Sequence, residues 1–358
     1  MDTAKTETLA DLRSAINAEL MSFVSSENKY LESIGSELIP VAKAMQNFLL
    51  DSGKRLRPVF AYVGFLGTST PISTSILKAC ASLELIHVCA LMHDDVMDGS
   101  DTRRGAPAVH RAFEAMHKEK GLKGSAEQFG ISAAILLGDL ALVWSAKALH
   151  NAGLSDEELI RALGMYDEMR VELMAGQYLD IYEQALGSQS VERSLKVARY
   201  KSGKYTIERP LHFGAALGSA NPEPLYEIYS NYGLPLGEAF QLRDDVLGIF
   251  GDPSQTGKPA GDDLREGKRT VLLAMTLDRV NESEKNQIEG SLGNANLSSE
   301  KVNQIREIIR NSGALAEVEN LIESLTNKAM TSIETPLLSK QAQGFLGELA
   351  IMVTKRSA

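Results

Sequence analysis

Cysteine is scarce in this chain: Cys80 and Cys89 are the only two among 358 residues, which excludes a disulfide-stapled secreted scaffold. Both fall on one predicted helix, where nine residues set them about 13 Å apart along the axis, too far to bridge. They read as small buried helix residues. Long hydrophobic runs are missing too. No stretch approaches roughly 18 uninterrupted apolar residues, so no membrane span is expected. The polar, amphipathic start MDTAKTETLADLRSAINAEL shows no secretory signal. Nor is there a basic excess: 37 Lys and Arg against 47 Asp and Glu leave a formal charge of −10, which argues against a nucleic-acid binder. A cytoplasmic protein is expected. Alternating strand-like runs between paired turn signals are nearly absent.

What is present is helical periodicity through nearly the whole chain, as in ISAAILLGDLALVWSAKAL (131 to 149) and LIRALGMYDEMRVELMAGQYLDIYEQAL (159 to 186). The expected fold is all-α, a single large helical bundle over residues 1 to 358. Loop composition gathers at 118 to 130, 187 to 192, 251 to 267 and 281 to 299, the last an exposed excursion.

Two aspartate clusters, Asp94-Asp95-Val96-Met97-Asp98 and Asp244-Asp245-Val246-Leu247-Gly248, stand about 150 residues apart. On a helix Asp94 and Asp98 are one turn apart and point the same way, while Asp95 lies about 100° round. Carboxylates so placed repel one another, and a hard divalent cation removes that cost. Mg²⁺ prefers a few carboxylates plus phosphate oxygens to a full protein cage. The helix entering the first cluster, ILKACASLELIHVCALMHDDVMD, is apolar nearly all round and therefore buried, with its acidic end opening into a central apolar cavity. A diphosphate head with a hydrocarbon tail suits that shape.

Basic groups match the acidic ones. Gly53-Lys54-Arg55-Leu56-Arg57-Pro58 puts three cations at a helix boundary, Arg103-Arg104-Gly105 follows the first cluster, and Lys258 and Lys268 follow the second.

This ordered set resembles the trans-isoprenyl diphosphate synthases, from GKRLRP at 53 to GKRT at 267 to 270, with LELIHVCALMHDDVMDGSDTRRG, MAGQYLD, YKSGKYT and FQLRDDVLGIFGD between them. The resemblance is greatest to bacterial geranylgeranyl diphosphate synthases. It implies an isoprenoid-synthase bundle, a homodimer and three Mg²⁺ ions per site. Asp94, Asp98 and Asp244 would hold metal, with Asp95 and Asp245 in support. Arg103, Lys201, Ser202, Lys258 and Lys268 would meet the allylic diphosphate, with Arg103, Lys201 and Lys258 acting in catalysis alongside the aspartates. Lys54, Arg57, His87 and Arg104 would hold isopentenyl diphosphate, and Gln241 would sit between the substrates. The family's second motif usually ends in a third Asp, where this chain has Gly248.

The implied reaction is Mg²⁺-dependent head-to-tail condensation of isopentenyl diphosphate with dimethylallyl, geranyl or farnesyl diphosphate. The tail should run along the motif helix beside residues four, five and eight positions before Asp94, which are Ala90, Cys89 and Ile86. Farnesyl synthases usually carry an aromatic ring at one of the first two. Small residues there point to a twenty-carbon product, with a longer one as the alternative. A terpene cyclase would need no second diphosphate pocket, against Lys54, Arg57 and Arg104. A non-catalytic partner subunit would be expected to have lost part of the first motif, which is intact.

Overall fold

The computed structural model describes residues 8–50, 53–252 and 261–355. The chain forms two compact units: one takes in the chain to Gly164 with Phe213–Pro222, the other Met165–His212 with the chain from Glu223 onward. Both are built from helices, as expected.

In the first unit α1 (Leu9–Ile34) starts at Thr8, whose hydroxyl accepts from the Asp11 amide, and buries Leu12, Ile16, Leu20 and Val24 along one stripe. After α2 (Ile39–Leu50), α3 (Leu56–Leu66) is buried on every side, with Pro58 in its first turn where no amide is needed. Helix α4 (Thr74–Met97) is equally apolar and packs against α6 (Ala126–His150), which Ser125 caps. Between them lie α5 (Val109–Glu119) and the one β element among the described residues, a hairpin pairing Thr102 with Pro107 and Arg103 with Ala106. Its two-residue turn, Arg104-Gly105, has positive φ at both positions (53° and 78°), as a twist-matched tight hairpin requires.

By length and composition α4 and α6 are each apolar enough to cross a membrane, which a search for uninterrupted runs overlooks because scattered polar residues break them up. In α4 67% of the apolar window is buried inside the protein, the burial of a core helix; in α6 the share is 39%.

In the second unit most of α7 (Asp156–Leu186), then α8 (Val191–Val197), a π-helix (Ala198–Glu208) and α10 (Glu223–Phe250) come together, while α9 (Arg209–Gly218) has its first residues in this unit and its last in the other. The π-helix packs on α10 through a glycine pair: a Cβ on Gly237 would stand 2.4 Å from the Gly203 Cα. Among the described residues six further helices follow, and the apolar faces of the first five close on α10 around Val246, Ile249, Leu264, Leu272, Ile288 and Ile305. The segment 281 to 299 is largely exposed, as expected, but it is partly helical and anchored to this core. Asn281 and Glu284 form a reciprocal capping box that starts the helix Glu282–Glu289, and Ile288 and Leu297 are buried.

Candidate active site

The apolar run of α4 ends in the first aspartate motif, and the helix itself sorts those side chains. His87, Ala90, Leu91, Asp94 and Asp98 are partly exposed, whereas Ile86, Cys89 and Asp95 are buried. Asp94 and Asp98 therefore share the accessible face with His87 and Ala90. Asp98 caps the helix, its amide donating to the Asp94 carbonyl at 2.8 Å, and Gly99 at φ 65° turns the chain into the hairpin.

That hairpin brings Arg103 back onto the motif. Its Nε donates to Asp95 Oδ1 at 2.9 Å, its NH2 bonds the same oxygen, and NH2 stands 3.5 Å from Asp94 Oδ2. The Asp95 side chain is 1% exposed and holds the guanidinium in place.

The GKRLRP segment divides. Arg55, one of three cations in a stretch that reads as a counterpart to the aspartates, is a buried strut: it lies at φ 53° and donates to Asn17 Oδ1 and Glu84 Oε1, both at 2.8 Å, and to the Leu49 carbonyl at 2.6 Å. Gly53 makes this possible, because a Cβ there would lie 2.7 Å from the guanidinium. Burial, then the charges of Arg57, Arg104, Arg103 and Arg55, hold His87 well below the ordinary histidine range. The imidazole is neutral and sits in the field of four guanidinium groups, beside the aspartate pair. Of these, Arg103 and Arg55 are paired with Asp95 and Glu84.

Cys89 points away from this face. Its Sγ lies 3.8 Å from His93 Nδ1, and His93 Nε2 lies 3.0 Å from the Ile135 carbonyl on α6. The close approach needs Gly138, where a Cβ would stand 2.1 Å from the His93 ring. A cavity of about 190 Å³ between α1, α4 and α6 is lined by Phe23, Lys78, Ala81, Ser82 and Leu85. Nine residues from Leu85 to Asp94 turn the helix through about 900°, so this cavity lies on the far side of α4 from the aspartates.

In the second unit Lys201 sits on the π-helix with its Nζ 2.5 Å from Asp180 Oδ2. Asp180 ends the MAGQYLD block, where nothing in the sequence marked it as this partner. Gly176, one turn earlier on α7, lets the backbones meet: a Cβ there would lie 2.3 Å from the Lys201 nitrogen. Ser202 is half-buried beside it. A second clamp follows, in which the Glu172 carboxylate takes Lys204 at 2.5 Å and Arg209 at 2.7 Å.

On α10, Gln241 donates to Asp245 Oδ1 at 2.7 Å and the Val271 amide to Oδ2 at 3.3 Å. Asp245 is 4% exposed; burial first, then the Asp263 and Asp244 charges, push its carboxyl up to about 7 against those two bonds. Asp244 is half-exposed and Asp245 is not, so Asp244 is the one able to meet a ligand. Lys268 pairs with Glu266 and lies 3.5 Å from Asp263 Oδ1. Lys258 lies outside the described residues. Among the described residues, no three His, Cys, Asp or Glu side chains converge closely enough to hold a metal ion by themselves. A divalent cation at Asp94 and Asp98, or at Asp244, would take its remaining oxygens from elsewhere, which is how Mg²⁺ binds with phosphate.

Comparison with known proteins adds four similarities. The model of the polyprenyl synthetase family matches residues 40–309. The chain is 30% identical over 295 residues to a short chain isoprenyl diphosphate synthase of Methanocaldococcus jannaschii, covering 82% of this chain and 80% of that one. It is 30% identical over 316 residues to a geranylgeranyl diphosphate synthase of Sulfolobus acidocaldarius, covering 87% and 89%. Among solved structures, a geranylgeranyl pyrophosphate synthase of Corynebacterium glutamicum, complexed with isoprenyl diphosphate and magnesium, is 42% identical, covers 98% of this chain and 100% of that one, and superposes with a TM-score of 0.94.

Proposed function

We infer what these residues do from one premise: the chain belongs to the polyprenyl synthetase family. It is a prenyltransferase that condenses isopentenyl diphosphate with an allylic diphosphate in a Mg²⁺-dependent reaction, and its product is geranylgeranyl diphosphate. The observation that carries the reading is the pair Asp94 and Asp98 on the accessible face at the end of an apolar helix, with Arg103 folded back onto the motif beside them.

The following residue roles are our proposal. Asp94, Asp98 and Asp244 hold the metal, three ions in all, with Asp95 and Asp245 behind them. When bound, Mg²⁺ supplies charge neutralisation to the departing diphosphate. Arg103, Lys201, Ser202, Lys258 and Lys268 bind the allylic diphosphate, and the first two start from ion pairs with Asp95 and Asp180 that fix their heads. Lys54, Arg57, His87 and Arg104 take isopentenyl diphosphate; a neutral imidazole donates a hydrogen bond without adding charge. Gln241 stands between the two substrates. The allylic C–O bond ionises, the isopentenyl double bond attacks the cation, and the proton leaves to the released diphosphate, so no protein base is required. Apolar walls keep water from quenching the cation.

We assign the starter to dimethylallyl, geranyl or farnesyl diphosphate. Ile86, Cys89 and Ala90 set the length of the product, and a longer polyprenyl chain is the second reading, favoured by the small Ala90 on the accessible face. The chain works as one synthase domain in the cytoplasm, a reading supported by a family match that runs across both compact units and by two free thiols. It functions as a homodimer: α6 exposes Phe129, Ile135, Leu136 and Val143, an apolar stripe that a second copy would cover.

The test is incubation of the purified chain with labelled isopentenyl diphosphate and each starter, with Mg²⁺ or chelator, followed by sizing of the products. A metal-dependent twenty-carbon product supports the reading. Longer chains move the floor of the tail slot deeper, and absence of condensation with every starter refutes the reading.

A further inference from the structure

Helix α7 holds the π-helix at successive turns of one face. Glu172, Gly176 and Asp180 follow one another at four-residue intervals and so line up along the helix. Asp180 takes the Lys201 ammonium, Gly176 admits the Lys201 backbone, and Glu172 takes Lys204 and Arg209 together. That last contact selects a register. Lys204 and Arg209 are five residues apart, and the Arg209 amide donates to the Lys204 carbonyl, the i→i+5 bond that closes the final turn of the π-helix. Side chains one such turn apart point the same way. In an α-helix residues five apart would diverge by about 140°, and one carboxylate would no longer lie between them.

Glu172 therefore bridges the very pair whose backbone defines the wider turn. Its Oε1 accepts from Lys204 at 2.5 Å and from Arg209 NH2 at 2.9 Å, and its Oε2 accepts from Arg209 Nε at 2.7 Å. Burial opposes ionisation of this carboxyl, but the bonds from Arg209 and Lys204 outweigh it and hold the group below the ordinary glutamate range. Two further carboxylates meet the same cations without bridging them. Glu208 lies 3.7 Å from Lys204, and Glu168 takes Arg209 NH2 at 2.6 Å with its own side chain 45% exposed.

We propose that Glu172 is a positioning residue for the reaction: by bridging Lys204 and Arg209 it keeps the segment in π register, and that register sets where the Lys201 ammonium meets the allylic diphosphate. This role deepens the reading given under Proposed function and rests on the part assigned there to Lys201. Lys201 precedes Lys204 by three residues on the same helix. Return of the last turn to α register would wind the segment tighter and turn Lys201 about the helix axis relative to Asp180.

The experiment combines steady-state kinetics, using the allylic starter that the wild type prefers, with hydrogen exchange of the segment 198 to 209 in metal-free protein. Glu172→Gln keeps the shape of the side chain and removes the charge that holds two cations. It should lower kcat by about tenfold to a hundredfold, as a displacement near 1 Å would, with the KM for isopentenyl diphosphate within about twofold of wild type. Exchange of the segment should quicken. Glu168→Gln, which leaves the bridge intact, should keep wild-type kcat and wild-type exchange. In a Lys201→Ala background Glu172→Gln should lower kcat by less than about twofold further, because the loss passes through Lys201. Additive losses overturn the inference, since a merely structural role would give them. Wild-type kcat or unchanged exchange in a folded Glu172→Gln variant overturns it too. Lys204→Met severs the same bridge from its other end and decides the matter on the same criteria if Glu172→Gln does not fold. Wild-type protein that yields no product with any starter refutes the functional reading, and this inference with it.

Discussion

The Arg55 guanidinium and the Glu84 carboxylate meet at 2.8 Å with both side chains 2% exposed, tying the loop before α3 to the middle of α4. A buried ion pair is expensive to break one partner at a time. Glu84→Ala should cost about 3–5 kcal/mol, whereas replacing both residues by methionine should cost far less. Urea unfolding midpoints of the single and double variants measure the difference, and equal losses would refute the argument.

An aromatic ring at position 90 or 89 meets different surroundings. Ala90→Phe adds a ring on the accessible face of α4, and should shorten the product from twenty to fifteen carbons with little change in stability. Cys89→Phe should also shorten it, but at a position with no exposure and against His93 it should cost about 1–3 kcal/mol of stability through overpacking. Chromatography of the dephosphorylated products and thermal unfolding read the two effects separately; unchanged product length in both variants would place the floor elsewhere.

Gly176 and Gly237 seat the π-helix that carries Lys201. Alanine at either brings a methyl within 2.4 Å of opposing backbone, which has no side chain to rotate away. Each substitution should lower stability by about 1–3 kcal/mol. Displacement of the Lys201 segment should lower kcat by about a hundredfold, as expected of a shift near 1 Å. Steady-state kinetics at saturating substrate checks this, and a stable variant with wild-type kcat would sink it.

Two buried groups pull the pH dependence of metal-free stability in opposite directions. Asp245, raised from 3.8 to about 7, keeps a proton in the folded state that the unfolded chain has released. Its contribution is complete below about pH 4 and is lost as pH rises through 7. Burial and the Arg209 charge lower His212 from 6.5 to about 4, so its contribution holds above pH 6.5 and is lost as pH falls through 4. In the wild type the two partly cancel. Comparison with Asp245→Asn in chelator isolates the first: the stability advantage of wild type over the variant should shrink by about 2–4 kcal/mol between pH 4 and 8. A difference independent of pH would refute the assignment.

The helices were legible because their stripes of apolar residues carry most of the stabilising burial, and α1 or the helix Ser299–Asn311 can be drawn from periodicity alone. The cation cluster was legible for a different reason: charges so closely spaced as GKRLRP and DTRRG need a partner. What the chain order hid were pairings across distance. Arg55 reads like its neighbours Lys54 and Arg57, and only the position of Glu84, 29 residues on, makes it a strut. The π-helix leaves no periodic trace, since its wider turn is fixed by glycines on two other helices. The capping box at Asn281, by contrast, is written in the sequence as Asn-x-x-Glu.

Both thiols of the chain lie on α4, without exposure, and burial pushes Cys89 up to about 12 and Cys80 higher still. Neither is a thiolate at neutral pH, so neither reacts while the helix stays in place. The protein therefore carries its own clock: the rate at which an alkylating reagent captures these sulfurs counts the openings of the one helix that ends in Asp94 and Asp98.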